Sequence, residues 1–115
     1  MSRKRWMVLF TLLLLVGLSG CANDPPSMRI FNERSSKANL QIKPDAGNTF
    51  NINDIPGGSG TAYQDIGEVG YLVTATIQNE TVSPEVRFVA SENNNYTVVV
   101  MNSTPPALRV DATEK

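Results

Sequence analysis

Beyond residue 27 the chain is interrupted at short intervals by turn-forming residues, and this spacing constrains its fold more than any other feature. The interruptions fall at Pro44-Asp45-Ala46-Gly47, Gly57-Gly58-Ser59-Gly60, Gly67-Glu68-Val69-Gly70, Asn93-Asn94-Asn95 and Pro105-Pro106. Proline presets φ and glycine accepts positive φ, so such clusters reverse the chain. Between them apolar residues do not recur at three-and-four spacing, and β-branched residues dominate. Helix is therefore not expected.

The intervening segments alternate instead. Met28 to Asn32 places Met28 and Ile30 on one face, and Ala38 to Lys43 places Leu40 and Ile42 inward with Asn39, Gln41 and Lys43 outward. Asn48 to Asn53 presents Phe50 and Ile52, and a short strand is expected around Thr61 to Ile66. Tyr71 to Gln78 gives the clearest central strand, with Tyr71, Val73, Ala75 and Ile77 on one side. Glu85 to Ala90 carries Val86 and Phe88 inward, Tyr96 to Met101 is nearly continuous in apolar residues, and Ala107 to Val110 closes the series. Alternation of this kind marks antiparallel strands with one wet face. The expectation is an all-β fold: a small antiparallel Ig-like β-sandwich of seven or eight short strands. It would span 28–110, with 111–115 as a frayed tail.

The residue inventory narrows the chemistry. The chain has one cysteine, Cys21, and no histidine. A disulfide within the domain and a thiolate metal site are thus excluded. Ser-His-Asp and Cys-His catalysis lack their base. Three of the ten basic residues are Arg3, Lys4 and Arg5, while all eleven acidic residues follow Cys21, so the remainder carries a net charge of −4. Nucleic acid needs clustered Lys and Arg, and no such cluster occurs here. The expectation is a non-enzyme without metal or cofactor and without a nucleic-acid partner.

The N-terminal segment has its own pattern. Arg3-Lys4-Arg5 precedes an apolar run from Trp6 to Leu18. That run is short for a membrane-spanning helix, which needs about 20 apolar residues, but it suits the apolar region of a signal peptide. Leu18-Ser19-Gly20-Cys21 resembles the lipobox of bacterial lipoproteins. The resemblance implies cleavage between Gly20 and Cys21, acylation of Cys21, and permanent tethering, since several acyl chains hold a membrane where one does not. The division that follows is 1–20 as signal peptide, 21–27 as acylated cysteine and Pro25-Pro26 tether, then the sandwich. Ala22 stands where Asp would favour retention at the inner membrane, so the expected location is the outer membrane, facing the periplasm.

Other polar groups are candidates for chemistry. Gly57-Gly58-Ser59-Gly60 lacks the lysine of a phosphate-binding loop and leads into a strand, so it reads as a flexible connection. Asp65 and Glu68 are close enough in sequence for an acid/base pair, but they flank a glycine turn and read as solvated. Asp45 with Asn48, and Asn51 and Asn53 with Asp54, offer oxygen ligands without the spacing of a calcium loop. Tyr63, in a more polar segment than Tyr71 or Tyr96, is the candidate for stacking on a ligand.

The order Met28-Arg29-Ile30-Phe31-Asn32, Leu40-Gln41-Ile42, Val69-Gly70-Tyr71-Leu72-Val73 and Tyr96-Thr97-Val98-Val99-Val100 carries a second resemblance. It is similar to the small β-sandwich domains of the bacterial alginate O-acetylation periplasmic adaptor family. The resemblance implies an adaptor role in exopolysaccharide secretion or modification, with an envelope protein as partner, and no catalytic residue. The alternative expectation is a carbohydrate-binding module that takes polysaccharide through Tyr63 and the polar Asn48 to Asn53 strand.

Overall fold

The computed structural model describes residues 23–115. The proposed signal peptide, Gly20 and Cys21 lie outside the described residues. All regular structure among the described residues is strand: β1 Ser27–Asn32, β2 Ala38–Pro44, β3 Phe50–Ile55, β4 Gln64–Asp65, β5 Gly70–Ile77, β6 Glu85–Val89, β7 Asn94–Val100 and β8 Leu108–Glu114. They form two four-stranded sheets, ordered β4-β1-β7-β8 and β3-β2-β5-β6. The β-sandwich is the expected fold.

Its core follows from alternation. Inward residues of the first sheet, Met28 and Ile30 on β1 with Val98 and Val100 on β7, meet Leu40, Ile42, Val73 and Ala75 of the second, all at most 1% exposed. Each large apolar side chain so buried contributes about 1.5–3 kcal/mol relative to exposure. Tyr71, Phe88 and Tyr96 bridge the sheets at one end, with ring centroids 5.4 and 5.1 Å apart. The Tyr71 hydroxyl donates to the Gly67 carbonyl at 3.0 Å, and the Tyr96 hydroxyl accepts from the Ser91 amide at 2.9 Å. Both buried hydroxyls are thereby paired, as burial of a polar group requires.

Four features depart from the expectation. First, β1 pairs with β7 in parallel, Ser27 opposite Asn95 through Asn32 opposite Val100, while the other strand pairs are antiparallel. Second, β3 runs on to Ile55 because Asp54 adopts φ 59° and the register with β2 shifts between Ala38 and Leu40. This bulge reverses the alternation, so Ile55 is buried directly after an exposed Asp54.

Third, β8 continues to Glu114, with Asp111 opposite Thr97 and Glu114 opposite Asn94. The segment expected to fray is held to the sheet by backbone pairing and not by burial, since Asp111 to Glu114 are all exposed. Fourth, the expected tether belongs largely to the domain. Pro26 is fully buried, the Asp24 amide donates to Asn93 Oδ1 at 2.9 Å, and the Asn93 amide donates to the Asp24 carbonyl at 2.9 Å.

The glycine loop after β3 is not a free connection. The Gly58 amide donates to the Asn32 carbonyl at 2.8 Å, and the Asn32 amide donates to the Ser59 carbonyl at 2.9 Å. The Thr61 amide then donates to the Ile30 carbonyl at 2.9 Å. These bonds cap the edge of β1 that the two-residue β4 leaves open. A Cβ on Gly57 would stand 2.5 Å from the Arg34 carbonyl oxygen, so the close approach of two backbones requires glycine there.

Candidate functional site

The outward positions of the first sheet build one continuous face. On β1 these are Arg29 and Phe31, on β7 Thr97 and Val99, and on β8 Arg109, Asp111 and Thr113. Register aligns them into rows: Arg29, Thr97 and Asp111 lie side by side, and Phe31, Val99 and Arg109 form the next row. Neighbouring strands are about 4.8 Å apart, so each row sets its side chains next to one another. With Glu33 and Tyr63 these residues line a shallow groove of about 290 Å³.

Val99 forms the floor of the groove, only 3% exposed although it points away from the core. Phe31 and the arms of Arg29 and Arg109 flank it. Arg29 is held from two sides: its Nε donates to Thr97 Oγ1 at 3.1 Å, and its guanidinium carbon lies 5.1 Å from the centre of the Tyr63 ring. A cation over an aromatic face is attracted by the ring quadrupole. The Tyr63 hydroxyl stands 3.4 Å from the same Thr97 oxygen, so Thr97 links both side chains.

The far side of the groove is electrically closed. Arg109 donates to both carboxylate oxygens of Asp111, at 2.9 and 3.1 Å, and its guanidinium lies 3.7 Å from Glu33. The hydrogen bonds from Arg109 hold the Asp111 carboxyl below its usual range. Arg29 makes no ion pair among the described residues, while Arg109 faces two carboxylates, so the groove is neutral overall and sets a guanidinium free of a close acidic partner beside an aromatic ring.

Tyr63 is 45% exposed and lies on this face. The polar strand expected to act with it does not. Asn51 and Asn53 lie on the outer surface of the other sheet, where they line a separate depression of about 300 Å³ with Asn39, Gln41, Thr74 and Thr76. Tyr63 and the Asn48 to Asn53 segment therefore occupy opposite sides of the sandwich, and a single carbohydrate site using both is corrected.

The remaining candidates are also dispersed. Asp65 and Glu68 border neither of these depressions nor the smaller one at Lys37, Asp54 and Gln78. Asp45 pairs with Arg87, whose terminal nitrogen donates to its Oδ1 at 2.7 Å, and Asp54 faces Lys37 at 3.7 Å. No group of three carboxylates with metal-holding geometry occurs among the described residues. The groove residues Arg29, Thr97 and Arg109 were legible only as outward positions of three separate strands; their adjacency comes from the pairing of β1 with β7. No protein-family model matches the chain, and no curated protein matches it.

Proposed function

We propose that this chain is a non-catalytic, lipid-anchored envelope lipoprotein that engages a protein partner through the groove of Arg29, Phe31, Tyr63, Val99 and Arg109. The observation that carries the reading is the composition of that face. An apolar centre ringed by tyrosine and arginine is the anatomy of a protein interface, and those two residue types are enriched among its energetic centres. Supporting it are the lipobox resemblance at Leu18-Ser19-Gly20-Cys21 and the absence of histidine, which removes the commonest general base. The outer membrane, facing the periplasm, is the proposed location, and an exopolysaccharide secretion or modification assembly is the proposed setting.

The test is site-specific photocrosslinking in intact cells, with the photoreactive residue at Tyr63 or, on the opposite face, at Thr74. A discrete adduct from position 63 that is absent from position 74 is expected. Equal adducts from both positions, or none from either, would overturn the assignment of this face.

The exposed ring of Tyr63, with the Arg29 guanidinium beside it, favours a second reading, a carbohydrate-binding module. Calorimetry against uronate oligomers and peptidoglycan fragments decides it: heat that disappears in Tyr63→Ala supports the reading, and no heat with any glycan removes it.

A further inference from the structure

The attachment of the N-terminal segment fixes which end of the sandwich meets the membrane. Besides its paired bonds with Asn93, the segment is held through Pro25 and Pro26. The Lys115 ammonium donates to the Pro25 carbonyl at 2.7 Å, and the Ile66 amide donates to the Pro26 carbonyl at 2.9 Å. The Lys115 amide closes the set by donating to the Asn93 carbonyl at 2.9 Å. Four hydrogen bonds thus clamp Asp24 to Pro26 against Asn93, Lys115 and Ile66, and a fifth ties Lys115 to Asn93.

Only three peptide units separate Cys21 from Asp24. At 3.8 Å between successive Cα atoms they reach at most about 11 Å. A lipid on Cys21 therefore cannot stand far from this end. The same end carries the turns at Asp45-Ala46-Gly47 and Gly67-Glu68, because β2 ends and β5 begins there, Pro44 opposite Tyr71. The opposite end carries the loops 33–37, 78–84 and 101–107. It lies about 26 Å away along the eight residues of β5, at ~3.3 Å per residue.

We infer that the domain stands on the membrane by its Asp24–Asn93–Lys115 end, with the loops around Glu80, Val82 and Pro105 facing away. This rests on the lipid-anchor reading above. The apposed end does not insert: Asp45, Asp65 and Glu68 are exposed on it, so the acyl chains supply the membrane affinity and the clamp supplies the orientation. The groove then opens sideways. Arg29 lies five residues beyond Asp24, roughly 16 Å of extended chain, so a partner reaches it by moving along the bilayer surface.

The experiment uses the full-length protein, purified from membranes and reconstituted into vesicles of phosphatidylethanolamine and phosphatidylglycerol that contain a headgroup-nitroxide lipid. A thiol-reactive fluorophore is placed on Ala46→Cys at the near end or on Val82→Cys at the far end, where Val82 is 49% exposed. An acylated Cys21 does not react, so one dye per chain and co-flotation with vesicles report the anchor. The expected result is quenching at least twofold stronger at position 46 than at position 82. Flotation with equal quenching at both positions, or stronger quenching at 82, would overturn the orientation while leaving the anchor intact. Two dyes per chain without flotation would overturn the anchor and the orientation with it.

Discussion

Asn32 offers the most demanding test of the fold that holds the groove. It is the last residue of β1, follows Phe31, and is fully buried. Its Nδ2 donates to the Ser36 carbonyl at 2.8 Å and to the Ile55 carbonyl at 3.1 Å, while its Oδ1 accepts from the Arg34 amide at 3.0 Å. One side chain thus ties β1 to the loop before β2 and to the end of β3. Asn32→Ala removes three hydrogen bonds: those to Ser36 and from Arg34 are worth about 1 kcal/mol each net, and loss of the third leaves the Ile55 carbonyl buried without this partner at a cost of roughly 1–3 kcal/mol. The sum is about 3–5 kcal/mol, a large part of the ~5–14 kcal/mol expected for a domain of this size.

Equilibrium urea unfolding followed by circular dichroism measures the effect. With a slope of ~1–1.5 kcal/mol per molar urea, the midpoint should fall by about 2–5 M, or the variant should be unfolded without urea. A shift below about 1 M at unchanged slope would refute the account. Asn32→Asp sharpens the test, because it keeps the acceptor for Arg34 but points a carboxylate at two carbonyls. Burial raises the folded pKa of that carboxyl above its unfolded value of about 3.9, so the variant should lose stability as pH rises above ~4 and regain it in acid.

Burial pushes the Tyr71 hydroxyl above its ordinary value near 10. In the window from about pH 10 up to the raised value, the unfolded chain releases this proton and the folded one keeps it, so stability falls as pH rises; Tyr71→Phe should flatten that decline in urea midpoints measured from pH 9 to 11. Gly57→Ala drives a methyl group into the Arg34–Ser35 backbone, and a loss of about 1–3 kcal/mol in the same unfolding assay is expected; an unchanged midpoint would refute the required close approach. Metabolic labelling with an alkyne fatty acid should tag the wild type and leave Cys21→Ala unlabelled, whereas equal labelling would refute the anchor. Arg29→Ala should abolish the position-63 photocrosslink while lowering the unfolding free energy by no more than about 1 kcal/mol, because the side chain is a surface group.

Strand identity was legible where alternation and burial agree. Tyr71 to Ile77 reads as a central strand because Tyr71, Val73, Ala75 and Ile77 are all buried. Strand ends were less legible. Asp111 to Glu114 carry no inward apolar period, and the backbone bonds that order them come from β7. The bulge at Asp54 depends on the pairing of β3 with β2, and nothing local in Asn53-Asp54-Ile55 announces it. Pro25-Pro26 reads as a spacer, yet proline carbonyls remain acceptors, and Ile66 and Lys115 use them. The groove was the least legible part, since a parallel pair between strands so distant in sequence brings Arg29 to Thr97.

That parallel pair also governs the order in which the molecule can be made. Ser27 and Asn95, partners in the sheet, are 68 residues apart in the chain. Loop-closure entropy delays contacts of such separation, and topologies that rely on them fold slowly. β1 lies between β4 and β7, so its N-terminal residues wait half-paired while nearly all that follows is synthesised. Sandwich closure therefore waits until β7 has been made, whichever of the other strand pairs form earlier.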